Sequence, residues 1–272
     1  MKVCIDIPLK NYGFSRIENA FRKHSGNNIE FVSEEDADFV IIYAHGNRRQ
    51  VGWWAEKLLK QGKKYAVIQV AIRSTANPKT EDWLDIWKNA AVIWSYYDLS
   101  ALCKEDGNRA EFNFYHAPLG VDPEIFKEVK SERTHKLMVG HSRDEYVRQC
   151  IAAAGGDVYK QGTDISDEEM ARAYSQVEYV SGLRRKEGFE MPVLEGLLCG
   201  ARPICFDMEC YRTWFGRLTE YIAYESDAAT AVPLLKEILK HKPRPVTEQE
   251  KQFVKDRFNC RKIIQGFWQA VD

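Results

Sequence analysis

Glu187-Gly188-Phe189-Glu190-Met191-Pro192-Val193-Leu194-Glu195-Gly196-Leu197-Leu198-Cys199-Gly200-Ala201-Arg202-Pro203-Ile204 is the stretch on which the reading of the whole chain turns. Just upstream, Glu178–Ser181 is a short apolar run that reads as a buried strand, and a basic loop with Arg184, Arg185 and Lys186 follows it. Gly188 lets that loop bring its backbone close to a ligand. Pro192 suits the first turn of a helix and Gly200 the residue just past its end, so the spacing predicts a helix over Pro192–Cys199. Arg202–Phe206 then reads as the next strand. The first N–H groups of the helix, from about Met191 to Leu194, point back at the loop, and such a helix start favours an anion. Glu187 lies in the loop and Glu195 one turn inside the helix. One carboxylate is thus placed for a ligand's reactive end, the other for a hydroxyl-rich part further along.

The same alternation runs outward in both directions. Towards the start, Lys2–Pro8, Ile29–Val32, Asp38–Tyr43, Tyr65–Ile72 and Ala91–Ser95 read as strands. Between them, Val51–Gln61 and Asp82–Lys88 read as helices, with Gly62 ending the first. Asn11-Tyr12-Gly13 reads as a turn, and Ser15 with Glu18 as a capping box opening a helix to about Lys23. His116-Ala117-Pro118-Leu119-Gly120-Val121-Asp122-Pro123 breaks the pattern and reads as a linker. The alternation restarts with a strand at Lys136–Gly140, a helix at Arg143–Ala154 and a strand at Asp157–Gln161. Ser166 opens a helix whose first turn holds Asp167, Glu168 and Glu169, which suits the helix dipole. Ala228–Leu239 and a segment from Glu248 to the end complete the helices. Short strands alternating with helices imply parallel sheets covered by helices, here as two consecutive doubly wound α/β units. A ligand is expected in a cleft between them, near the carboxyl ends of the strands.

Composition agrees with that class. A chain of 272 residues with 44% hydrophobic and 12% aromatic residues supports packed cores and is not disordered. Residues 1–130 hold 18 basic and 18 acidic side chains and the remainder 21 and 22, so neither half carries the excess expected of a nucleic-acid binder. No run of ~18 apolar residues is present, so no membrane-spanning helix is expected. Met1–Ile5 opens directly into a strand-like run interrupted by Asp6 and does not read as a signal peptide. The seven cysteines are an odd number and mostly sit in apolar runs, as expected of reduced thiols in a cytoplasm. Cys199, Cys205 and Cys210 lack zinc-ligand spacing, and no metal site is expected.

The opening stretch resembles the signature of the retaining glycosyltransferases of family 4 type, which have the two-domain GT-B fold. Their segment is Glu-Gly-Phe-Gly-Leu-Pro-x-x-Glu-Ala-x-x-x-Gly-x-Pro-Val-Ile, and Glu187, Gly188, Phe189, Pro192, Glu195, Gly200, Pro203 and Ile204 stand in register with it. Pro118-Leu119-Gly120-Val121-Asp122 with Phe126 is similar to the family's linker, Val139-Gly140 to its first C-terminal strand, and Gly162, Asp167-Glu168-Glu169 and Tyr174 to a further segment. Phe258-Asn259-Cys260 with Phe267-Trp268 is similar to its closing helix, which returns to the first domain. The resemblance implies a Rossmann-like acceptor domain over 1–120, a Rossmann-like donor domain over 121–255, and a returning helix over 256–272. It further implies a glycosyltransferase that moves a sugar from a nucleotide-sugar to an acceptor hydroxyl with retention and without metal or cofactor, a UDP-sugar being favoured over a GDP- or ADP-sugar. The acceptor is open between a glycan, a small molecule and a modified DNA base, and the oligomeric state is open too. Alternatives are a phage-type transferase acting on hydroxymethylated pyrimidine in DNA, and a catalytically lapsed GT-B protein that binds a nucleotide-sugar.

By that resemblance Glu195 binds the ribose, and Glu187 with the Gly188, Phe189, Glu190 and Met191 backbone holds the sugar, while the base lies near Gln161 and Gly162. Where the family carries Arg and Lys for the diphosphate, this chain has His141 and Tyr146, and Arg143, Arg184 or Lys186 can supply the charge. The third loop residue, glycine in the family, is Glu190. Gly13 is read as a diphosphate loop or a plain turn, and Arg143 as a phosphate ligand with a catalytic part or a solvated helix residue. His45 follows a strand end, as a residue acting on the acceptor hydroxyl or a structural loop histidine. Arg73 and Asn77 mark an acceptor loop after another strand, where the family's His-Asp is missing. Trp53, Trp54, Trp83, Trp87 and Trp94 crowd the first domain, and Trp83 with Trp87 has the spacing of core residues.

Overall fold

The computed structural model describes residues 1–6, 12–44, 47–71, 80–109, 111–139, 145–158, 165–183, 188–223 and 228–271. The chain divides into two compact units, one formed by Met1–Gly120 with Cys260–Asp272, the other by Val121–Asn259. The first contains β1 (Lys2–Asp6), α1 (Tyr12–His24), β2 (Glu30–Phe31), β3 (Phe39–Ala44), α2 (Arg48–Lys60) and β4 (Lys64–Gln69). A 3-10 turn (Thr80–Trp83) then runs into α3 (Leu84–Trp87), followed by β5 (Ile93–Ser95), α4 (Leu99–Glu105) and β6 (Phe114–His116). Its strands lie in the order β2-β1-β3-β4-β5-β6, all parallel.

β3 is buried at every position, as a central strand covered on both faces must be, and its run of Phe, Val, Ile, Ile, Tyr and Ala has no polar alternation. Trp54, Trp83, Trp87 and Trp94 are core residues, whereas Trp53 stands 65% exposed on α2. The buried amide of Gln69 is satisfied on both sides: Trp87 Nε1 donates to it at 3.0 Å, and its own Nε2 donates to the Ala71 carbonyl at 2.7 Å.

The second unit holds β7 (His135–Val139), α5 (Glu145–Ala153), β8 (Asp157–Val158), α6 (Asp167–Ser175), β9 (Val177–Gly182) and α7 (Met191–Leu198). β10 (Arg202–Phe206), α8 (Glu209–Phe215), β11 (Glu220–Ile222), α9 (Ala228–Lys240) and α10 (Glu248–Arg257) follow. The strand order is β11-β10-β9-β7-β8, again all parallel. Both sheets share one winding, in which the first strand is flanked by the second on one side and the third on the other. The order therefore reverses between β1 and β3 in one unit and between β7 and β9 in the other, where α/β folds bind ligands.

The last helix, α11 (Cys260–Val271), packs in the first unit. Phe267 meets Phe21 edge-on at 5.0 Å, Trp268 Nε1 donates to Ser25 Oγ at 2.8 Å, and Tyr115 donates to the Ile263 carbonyl at 2.9 Å. The segment from Glu248 to the end, read as helical with a returning helix over 256–272, forms two helices, and α10 ends at Arg257. The break at Phe258 and Asn259 is where Val121 N–H bonds the Phe258 carbonyl at 2.9 Å and Val121 pairs with Asn259.

Local expectations failed where long-range packing decides. α1 begins at Tyr12, so Gly13 lies in its first turn and Ser15 with Glu18 is helix interior, not a capping box. The buried pair Ile17 and Phe21, one turn apart, holds that face to the sheet. Side-chain capping boxes instead open α6, with Ser166 and Glu169, and α10, with Thr247 and Glu250. β6 ends on His116, the first residue of the segment read as a linker. β6, β11, α4 and α8 are 3 to 7 residues long, too short for periodicity to announce. Among the described residues no helix is long and apolar enough to cross a membrane.

Candidate functional site

α7 sits directly on β9 because two glycines remove side chains from the interface. A Cβ at Gly196 would run into the side chain of Val180, and one at Gly182 would lie 2.8 Å from Cys205 Sγ and 3.0 Å from Val193 Cγ2. Pro192 occupies the first turn of α7, and Gly200, at φ 83°, adopts the left-handed conformation that ends it. At the carboxyl end of β9, Leu183 N–H donates to Ser181 Oγ at 3.1 Å.

Three predicted donor residues lie in this junction with buried side chains. Phe189 packs on Phe215 at 5.2 Å, and on Trp214 and Phe258 at 6.2 Å each. Glu195, in the second turn of α7, is 1% exposed. Glu190 is equally buried; it occupies the N-cap of α7, but its side chain makes no capping bond. Its carboxylate accepts from the Tyr211 hydroxyl at 3.2 Å instead. Met191 opens the helix half-buried, and Gly188 is buried just before. Burial raises the Cys210 thiol to about 11, with the charge of Glu190 adding to the effect. Cys205 is driven further up by burial, and Glu190 again contributes. None of the seven cysteines forms a disulfide.

Glu187, Arg143, His45, His141, Gln161, Gly162, Arg184, Lys186, Arg73 and Asn77 lie outside the described residues. Their attachment points are nevertheless set by register. Val139, which ends β7, pairs with Ser181 near the end of β9, and with Val158, which ends β8. The described ends of β7, β8 and β9 thus lie at one edge of the sheet, and those of β7 and β9 flank the reversal of strand order; in sequence, His141 and Arg143 come after β7, Gln161 and Gly162 after β8, and Arg184 through Glu187 after β9. In the first unit, His45 follows β3, which pairs with β1 at the other reversal, while Arg73 and Asn77 follow β4. Gly13 belongs to α1. Tyr211 was not singled out in the sequence; it stands 21 residues from Glu190 on the next helix, with no motif to mark it. Among the described residues no group of His, Cys, Asp and Glu is arranged to hold a metal ion.

Two doubly wound parallel units with the last helix packed in the first define the GT-B fold, the architecture of many glycosyltransferases. No family model matches the chain, and no curated protein matches it. Solved structures do. Sucrose-phosphate synthase of Thermosynechococcus elongatus is similar at TM-score 0.73 and 12% identity, over 98% of this chain and 97% of that one. HepE of Anabaena, in complex with UDP and glucose, is similar at 0.72 and 12%, over 100% and 99%. AviGT4, a glycosyltransferase involved in avilamycin A biosynthesis, is similar at 0.59 and 10%, over 99% and 96%. At these identities it is the fold that is shared.

Proposed function

We propose that this protein is a glycosyltransferase of family 4 type that moves a sugar from a nucleotide-sugar, a UDP-sugar first among them, to an acceptor hydroxyl with retention and without a metal ion. The observation that carries the proposal is the placement of Gly188–Glu195 at the carboxyl end of β9, beside the reversal of strand order, with Glu195 buried in the second turn of α7. HepE, of the same fold, was crystallised with UDP-glucose, which supports the donor class.

In this reading Glu195 accepts from the ribose hydroxyls, and Glu187 with the backbone of Gly188, Phe189, Glu190 and Met191 holds the sugar. Gln161 and Gly162 lie by the base. Arg143, Arg184, Lys186 and His141, with the start of α7, stabilise the diphosphate as the bond to the anomeric carbon breaks and its electrons pass to the leaving oxygen. The acceptor oxygen forms its bond on the same face and gives its proton to the departing phosphate. Gly13 lies by the diphosphate, His45 acts on the acceptor hydroxyl, and Arg73 and Asn77 belong to the acceptor side.

The test is a thermal-shift screen with UDP, GDP, ADP, CDP and their sugars. A nucleotide at about a hundred times its dissociation constant stabilises by ~2.7 kcal/mol. Glu195→Ala is expected to weaken UDP binding, and Glu187→Ala to lower turnover more than affinity for bare UDP. A chain whose melting point no nucleotide moves has no donor site. One that binds UDP but neither transfers nor hydrolyses its sugars is a binding protein of the same fold.

A further inference from the structure

We infer that Gln69 is a positioning residue of the acceptor side: with the hydroxyls of Ser95 and Tyr96 it fixes Val70 and Ala71, the two residues by which the chain leaves β4. The inference rests on the reading given above, in which Arg73 and Asn77, a few residues on in sequence, belong to the acceptor side.

A chain that turns off a sheet leaves backbone groups without ladder partners, and at a surface loop water ordinarily takes them. Ile68 with Trp94 is the last pair of the ladder between β4 and β5, and beyond it side chains take over. The Ser95 hydroxyl donates to the Gln69 carbonyl at 2.8 Å, the Tyr96 hydroxyl to the Val70 carbonyl, and Gln69 Nε2 to the Ala71 carbonyl at 2.7 Å. On the other flank the N–H groups of Val70 and Ala71 both donate to the carbonyl of Ala44, the last residue of β3, at 3.3 Å each. Every backbone donor and acceptor of Val70 and Ala71 is thus held by the protein. The groups that hold them are fixed in turn. Gln69 is fully buried, and Trp87 Nε1, donating to its Oε1 at 3.0 Å, sets which end of the amide faces Ala71. Ser95, 3% exposed, accepts from Tyr97 N–H at 3.0 Å. A strand that only has to end needs no buried amide, which costs stability unless each of its groups finds a partner. What the network adds is a fixed point of departure at the carboxyl edge of the sheet, on the strand next to β3, which flanks the reversal of strand order.

Gln69→Leu keeps the bulk and removes the tether to Ala71. The assay is transfer from UDP-glucose to glucose, to octyl β-glucoside and to duplex DNA carrying 5-hydroxymethylcytosine. The variant is expected to raise the acceptor KM about 10-fold, because a small misplacement of a binding group costs at least that. KM for UDP-glucose and acceptor-free hydrolysis are expected to stay within about 2-fold. Ser95→Ala, which frees the Gln69 carbonyl and leaves the amide in place, is expected to raise the acceptor KM about 3-fold. Leu58→Ala empties a fully buried position near the end of α2 and controls for stability, lowering the melting temperature with the acceptor KM unchanged. An acceptor KM that neither Gln69→Leu nor Ser95→Ala moves, or that Leu58→Ala raises equally, overturns the inference. So does an equal rise in KM for UDP-glucose.

A second arm needs no substrate. In the ligand-free full chain the amides of Val70 and Ala71 are expected to exchange as slowly as those of β4, although they lie beyond the strand. In Gln69→Leu they are expected to exchange about 10-fold faster, with β4 itself within about 2-fold. Fast exchange in wild type, or exchange that the substitution leaves unmoved, overturns the inference. If wild type transfers to no acceptor, the acceptor reading fails, and this arm still decides whether Gln69 fixes the exit from β4.

Discussion

Replacing Glu250 by Gln tests whether one buried ion pair holds the second unit together. Arg202 opens β10 with a guanidinium that is 1% exposed. It donates to Glu250 Oε1 at 3.0 Å and Oε2 at 3.1 Å, and to the carbonyls of Leu218, Arg244 and Pro245 at 2.9 to 3.1 Å. The carboxylate also accepts from Thr247 N–H at 2.8 Å and Arg244 at 2.7 Å. Burial by itself would raise the Glu250 pKa, but the hydrogen bonds from Arg202, Thr247 N–H and Arg244 outweigh it and hold the carboxyl at about 2.

Because the folded-state value lies below the unfolded one, the stabilisation is complete above the ordinary glutamate value of 4.5 and is lost as pH falls from there towards about 2. The gap between those values corresponds to ~3 kcal/mol at neutral pH. Removing one partner of a buried pair independently suggests about 3–5 kcal/mol. Urea unfolding across that pH range is the assay, with the transition of this unit identified by hydrogen exchange in the 202–206 peptide. Glu250→Gln is expected to lose ~3 kcal/mol at neutral pH and to converge with wild type near the acid end. A difference below ~1 kcal/mol, or one that does not shrink with acid, refutes the reasoning.

Three further outcomes are expected. Gly196→Ala forces a methyl into Val180 and should cost about 1–3 kcal/mol of stability in thermal melts, with α7 displaced from β9. Gly120→Ala sets a Cβ 2.7 Å from Cys260 Cα, a backbone atom that cannot rotate away, and should lower the melting temperature by a comparable free energy. Phe267→Ala empties a fully buried position on α11 and should destabilise the first unit by about 3–5 kcal/mol, seen as faster exchange in β1 and β3 with the second unit unaffected.

Much of the fold was legible because its signals are local. Pro192 and Gly200 mark the ends of α7 by chemistry that acts within one turn, and the unbroken apolar run of β3 declares a strand buried on both faces. The Ser15 and Glu18 pattern misled for the same reason in reverse. The residues fit a capping box, but Ile17 and Phe21 bury a face that extends the helix back to Tyr12. Of the residues read as donor ligands, Glu195 was singled out by its place in the loop-and-helix pattern and Phe189 and Glu190 by the resemblance to the family's segment, whereas Tyr211 as a side-chain partner of Glu190 could not be read.

The sequence by itself determined the alternation of strands and helices, the two-unit class and the loop-and-helix junction, since propensity, capping and turn chemistry depend on residues a few positions apart. Only the tertiary structure decided which side chains meet. Tyr211 reaches Glu190 across 21 residues, Arg202 reaches Glu250 across 48, and Trp268 reaches Ser25 across 243. No periodic pattern encodes pairs at such separations. They exist because parallel strands need long crossovers, which bring distant residues to one sheet edge or one core and leave each buried polar group to find its partner there.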